Sequence, residues 1–412
     1  MKLKTLSQNL LFRIAVAIVL GIGLSFIAPE WLGRVFATFN GLFGNFLNFF
    51  IPVLIFALIA PAIAALGRGA GKWLGVTAGI AWGSTIIAGL LAYGVSLLVY
   101  PWMLAGQTID TNVSDIDAGA LEPYFKVEMP APIEVMTALL LSFCIGVAMT
   151  QVKSDNLYNV TKELENVVVK VIWGFVIPLL PFYIFGMFLD LGMNGNLVDV
   201  LVAFGKVLLL SVAMTLVYLV IQYLIAGAIT GKNPFKALKN MLPAYATALG
   251  TSSSAAAIPV TLENALKNNI SKPVASFVVP LCATIHIAGS MIKLMLYAFA
   301  IIYLTGMDVS FHAAMGFMVL LSITMIAAPG VPGGAVMVAV GLLSQNMGFD
   351  DNLVALMIAA YIAVDSVGTA ANVTGDGAIA MIVDKFARGK VNAEGEPANT
   401  EAARPVAQDE RP

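Results

Sequence analysis

Ala328-Pro329-Gly330-Val331-Pro332-Gly333-Gly334 interrupts an apolar stretch that runs from about 308 to 348. No continuous helix passes through it: the prolines lack amide donors and clash with the preceding turn, and the glycines favour irregular backbone. A second apolar stretch, about 233–270, breaks in the same way at Gly250-Thr251-Ser252-Ser253-Ser254. Around these lie uninterrupted apolar runs near 9–28, 37–66, 73–100, 131–152, 165–193, 199–229, 273–304 and 352–383. Each reaches the roughly 20 residues that cross a bilayer as a helix.

Composition agrees with lipid as the solvent. Of 412 residues, 59% are hydrophobic and 11% charged, with mean hydropathy +0.89; soluble domains carry about a quarter charged residues. A net charge of -2 lacks the basic footprint that nucleic acid requires. Cys144 and Cys282 both stand in apolar runs and read as two buried thiols acting as small hydrophobes. The run from Leu10 to Ala28 follows Lys2 and Lys4 but shows no small-residue cleavage site, so it reads as a retained helix rather than a signal peptide.

Basic residues in short loops mark the cytoplasmic side. Lys2, Lys4 and Arg13 place the N-terminus there; Arg68 and Lys72, Lys153 and Lys162, Lys232 with Lys236 and Lys239, and Lys385 with Arg388 and Lys390 follow alternate spans. The 101–130 loop is acidic and falls outside. Every basic cluster lands on one face only if both interrupted stretches enter and leave on the same side. The expected fold is an all-α polytopic membrane protein with eight transmembrane helices and two opposed re-entrant helical hairpins. It would sit in the inner membrane with both termini cytoplasmic and a disordered polar tail at 388–412.

Irregular backbone at membrane depth is tolerated only where protein buries it or it lines a wet cavity. Two hairpin tips approaching from opposite faces therefore place a binding site near the midplane. The last span supplies its chemistry. Asp365, Thr369, Asn372 and Asp376 are spaced i, i+4, i+7 and i+11 along 361–376, on one helical face. Each carboxylate there costs roughly 2.5–3.5 kcal/mol to insert, which points to function and to cationic partners. His286 and Lys293 lie seven residues apart in the seventh run, on one face of a continuous helix. His312, at the start of the second hairpin, reads as structural or surface.

These motifs together resemble the dicarboxylate/amino acid:cation symporters, the glutamate-transporter fold, over about residues 8–387. Ser252-Ser253-Ser254 with Ala257-Ile258-Pro259-Val260-Thr261 resembles the first family hairpin. Pro280-Leu281-Cys282-Ala283-Thr284-Ile285 resembles the seventh-helix motif, Gly330-Val331-Pro332-Gly333 the second hairpin, and Asn372-Val373-Thr374-Gly375-Asp376 the end of the last helix. The resemblance implies an elevator-type homotrimer in contact with membrane lipid. Residues 1–72 and 131–193 would be scaffold, 73–100 and 199–387 the moving transport domain, and 101–130 an extracellular loop. It further implies that Asp365 holds a substrate ammonium, with Thr369 and Asn372 as further contacts. Ser253 and Ser254 would meet the substrate carboxylate, and Thr284, Gly330 and Val331 would complete the pocket. Asn372 and Asp376 would bind Na⁺, with backbone at Thr284 and the second hairpin forming another Na⁺ site; no other cofactor is implied.

The departures from the family pattern are informative. The arginine that pairs an acidic substrate side chain, three residues after the aspartate, is Gly368 here; the arginine of many first-hairpin tips is Ser252. An acidic side chain would enter the site unpaired, so a small neutral amino acid such as serine, threonine or alanine is expected, as in serine/threonine-transporter-like members. Dicarboxylates and acidic amino acids are the alternative. The family's seventh-helix Asn-Met-Asp-Gly-Thr reads His286-Ile287-Ala288-Gly289-Ser290. The lost carboxylate weakens one sodium site, and His286 enters as a second coupling candidate through H⁺. A channel, or a hydrolase using Ser253 with His286 as base, fits the pattern less well.

Overall fold

The computed structural model describes residues 10–68, 72–107, 122–152, 154–193, 197–328 and 333–387, and among them there is no β-strand. Gly330 and Val331 lie outside these residues, as does the 388–412 tail. In chain order the helices are α1 Leu10–Ser25, α2 Glu30–Arg68, α3 Lys72–Met103, α4 Val135–Gln151, α5 Asn156–Val171 and α6 Ile177–Met193. Then come α7 Leu197–Thr230, α8 Pro234–Thr251, α9 Ser254–Lys267, α10 Lys272–Ile285 and α11 Ala288–Thr305. The chain closes with α12 Phe311–Thr324, α13 Gly334–Met347, α14 Asp351–Ala363 and α15 Asp365–Ala387. A π-turn at Ile172–Val176 joins α5 to α6 without ending the rod.

Local chemistry fixes many of the ends. Asn233 caps α8 by accepting from Lys236 N–H at 3.0 Å, with Pro234 in the first turn, where a missing donor costs nothing. Ser310 and Asp350 cap α12 and α14 in the same manner. Gly306 and Gly348, at φ +66° and +72°, stop α11 and α13 in a left-handed conformation that a Cβ would strain.

The two interrupted stretches are helix pairs. In the first, α8 packs on α9 across a turn at Ser252 and Ser253; in the second, α12 packs on α13. Two runs expected to be unbroken are broken. The seventh stops at His286 and Ile287, between α10 and α11; the last stops at Val364, where α14 and α15 meet at 58°. Among the described residues five helices are long and apolar enough to span, or six with the bent α14–α15 pair taken as one. The apolar parts of α1 (Phe12–Ser25) and α4 (Thr137–Gln151) are shorter than the roughly 20 residues a span needs.

Packing sorts the helices into two sets. α1, α2, α4, α5 and α6 pack on one another; α3 and α7 to α11 pack with α15, and α12 joins α3. The sets meet chiefly where α13 and α14 lie against α2 and α6. Tyr183 donates to Asp351 O at 2.9 Å and Asn48 to Asp351 Oδ1 at 3.4 Å across that seam. Within the second set, Trp82 of α3 donates its indole N–H to Ser322 of α12 at 3.0 Å. Of the two thiols only Cys282 is buried. Cys144 lies exposed on the outer face of α4, contrary to expectation, and both are free.

Candidate functional site

Both helix breaks lie at one crossing of α11 and α15. A Cβ on Gly289 would stand 2.7 Å from Gly368 O, so the two backbones approach as closely as glycine allows. Each break exposes polar backbone that needs a partner, and each helix supplies the other's. Asn372 Oδ1 accepts from Gly289 N–H at 2.7 Å. Lys293 donates to the carbonyls of Val364 and Asp365 at 3.4 and 3.3 Å.

A cleft with about 400 Å³ of empty space opens beside this crossing. Ser252 and Ser254 of the first hairpin, Thr284 and Ile287 of the seventh run, Ala328 and Ala335 of the second hairpin, and Tyr361, Asp365, Thr369 and Asn372 of the last run all line it. Chain segments far apart in sequence thus share one small polar pocket. Asp365 opens α15, where the helix dipole favours an anion. Its Oδ2 accepts from Gly333 N–H at 2.8 Å and its Oδ1 from Lys293 at 3.2 Å. Thr369 donates to Asp365 O at 3.0 Å, and Tyr361 to Ser290 Oγ at 2.9 Å.

The expected residues do not all meet at the cleft. Ser254, Thr284, Asp365, Thr369 and Asn372 line the cleft. Ser253 does not: its hydroxyl caps α9, accepting from Ala256 N–H at 3.3 Å. Gly330 and Val331 lie outside the described residues. His286 and Asp376 form a separate buried pair, Nδ1 to Oδ1 at 2.9 Å. Lys293 does not share a face with His286, because the helix between them is broken; it pairs with Asp365 instead. His312 is exposed and stacks edge-on against Phe311.

Two residues of the histidine cluster have no sequence motif. Gln222 Nε2 lies 2.9 Å and Ser84 Oγ 3.2 Å from His286 Nε2. Both ring nitrogens are thereby engaged, Nδ1 by the Asp376 carboxylate and Nε2 by the Gln222 amide and the Ser84 hydroxyl. The visible signal was Gln222, the one side-chain amide in α7; Ser84 is one of several hydroxyls in α3, with Thr77, Thr85 and Ser96, and nothing in the sequence set it apart. With both ring nitrogens engaged and Ser253 spent as a cap, the nucleophile–base pair of a hydrolase does not form. Among the described residues no cluster of three or more His, Cys, Asp or Glu side chains forms a metal site.

Comparison with known proteins places the chain. The model of the sodium:dicarboxylate symporter family matches residues 10–386. A serine/threonine transporter of Streptococcus suis, SstT, is 31% identical over 340 residues, covering 80% of this chain and 93% of its own length. The Enterococcus faecalis protein of the same name is 26% identical over 386 residues, 89% of each. A match that runs from the first described helix to the last makes this chain a member of the sodium:dicarboxylate symporter family, a transporter and not an enzyme.

Proposed function

We propose that the protein is a secondary active symporter for a small neutral L-amino acid of the serine, threonine or alanine type, driven by Na⁺. The observation that carries this reading is the polar make-up of the cleft. It holds one carboxylate, Asp365, for an ammonium, and hydroxyls at Ser252, Ser254, Thr284, Ser290 and Thr369 with the Asn372 amide. Among the described residues no arginine or lysine lines it, so a substrate side-chain carboxylate would be desolvated without a counter-charge. The similar proteins named serine/threonine transporters support the same class.

Na⁺ is the co-substrate in this reading, and Asn372 and Asp376 are its proposed ligands. Their Oδ1 atoms already accept from Gly289 N–H and from His286; a carboxylate has about four lone-pair sites, so capacity remains. Backbone at Thr284 with the second hairpin would supply a second Na⁺ position. The chain would cross the inner membrane eight times, with α8–α9 and α12–α13 as re-entrant hairpins and both termini cytoplasmic. α1, α2, α4 and α5–α6 would form the scaffold of a homotrimer, past which the other helices move as an elevator. The seam at α13 and α14 supports that division.

A dicarboxylate or acidic amino acid is the second reading. It is favoured by one observation: the Lys293 stem packs where a side chain on Gly368 would stand. The two separate in a thermal-unfolding screen of the purified protein with L-serine, L-threonine, L-aspartate or succinate, in Na⁺ or choline. A ligand at 100 times its Kd stabilises by about 2.7 kcal/mol. Stabilisation by serine or threonine in Na⁺ alone is expected. Stabilisation by aspartate or succinate and not by serine overturns the neutral-substrate reading.

A further inference from the structure

Lys293 is the buried cation that the proposed function leaves without a role. It does not line the cleft; it stands behind Asp365, 1% exposed. Its ammonium meets Asp365 Oδ1 at 3.2 Å, Asp365 O at 3.3 Å and Val364 O at 3.4 Å, and lies 4.1 Å from the centre of the Tyr361 ring. The carbonyls belong to the break between α14 and α15. Unwound carbonyls and half-helix C-termini are where transporters of broken-helix design hold cations, and an aromatic face adds attraction. A covalently attached ammonium fills such a place here. Gly368 makes the room, since a side chain there would collide with the lysine stem.

We propose that Lys293 is a tethered counter-cation for Asp365. It neutralises the carboxylate while the carrier is empty and yields Oδ1 to the substrate ammonium when the carrier is loaded. The inference rests on the amino-acid symport reading. The geometry allows the exchange. All three Lys293 contacts are longer than the 2.8 Å bond from Gly333 that anchors Oδ2, and the two carbonyls and the ring remain when Oδ1 is taken. Asp365 faces the cleft on one side and the lysine on the other. The empty carrier can then return with this carboxylate compensated. Without the lysine, the return step moves an unpaired buried charge, which a low-dielectric path penalises heavily.

Net uptake needs that empty return; substrate exchange does not, because the carrier crosses loaded both ways. The test is radiolabelled serine transport in proteoliposomes, as Na⁺-driven net uptake and as exchange against internal unlabelled serine. Lys293→Met should lower net uptake at least about tenfold while exchange falls less than about threefold. Lys293→Gln, which keeps an N–H donor without the charge, should do the same and carries the test if the methionine variant does not fold. Equal loss of both activities, or no change in either, overturns the proposal. Wild-type protein that neither takes up nor exchanges serine overturns the substrate reading, and this inference with it, before any variant is made.

Discussion

Asp365 bonds to three elements at once: its own α15, the N-terminus of α13 through Gly333, and α11 through Lys293. A carboxylate in apolar sequence announces itself by its cost, which is why Asp365 and Asp376 stood out in the sequence. The partner of Asp365 did not. Seven residues separate His286 from Lys293, and that spacing gives a shared face only in an unbroken helix. Asp365→Asn should therefore do more than remove an anchor for substrate. It leaves the Lys293 ammonium buried and unpaired, a loss of about 3–5 kcal/mol. The double variant Asp365→Asn/Lys293→Met should recover part of that loss, as coupled neighbours do. Thermal unfolding in detergent checks both; an Asp365→Asn protein as stable as wild type would show that the pair contributes nothing.

Among the elements, the two interrupted helix pairs were readable because their breaks are written in proline, glycine and serine. The breaks at His286–Ile287 and Val364 were not. Cys282-Ala283-Thr284-Ile285-His286-Ile287 and Tyr361-Ile362-Ala363-Val364 contain no breaker. Their interruption is held by tertiary partners, Asn372 for one and Lys293 for the other, which a local window cannot contain. The first hairpin tip shows the opposite balance, a local strain accepted for shape. Ser252 sits at φ 49°, in the left-handed region that costs a residue with a Cβ about 1–2 kcal/mol. Ser252→Gly removes that strain and returns roughly 0.5–1 kcal/mol of it as unfolded-chain entropy. A small rise in melting temperature without substrate is the expected result. A fall would mean that the serine hydroxyl holds the tip more strongly than the backbone opposes it.

At the scale of the molecule, basic-residue placement and apolar runs outlined the chain, but neither could show which helices pack together. The seam between the two sets is narrow and polar at Asp351. A Cβ on Gly44 would stand 2.8 Å from its Cγ, within reach of a disulfide, whose Cα atoms lie about 5.5–6 Å apart. Gly44→Cys with Asp351→Cys, in a background lacking Cys144 and Cys282, joins the sets by an oxidisable link. If one set slides past the other, oxidation should stop uptake, spare ligand-induced thermal stabilisation, and be reversed by reductant. Full transport by the oxidised protein would rule out relative movement at this seam.

The bond from Trp82 to Ser322 has an optical consequence. An indole tied to a hydroxyl of α12 emits at a wavelength set by that bond and by the packing around it. The ring is 38% exposed, so its surroundings change whenever α12 shifts against α3. The protein carries, without any attached dye, a fluorophore wired to its second hairpin.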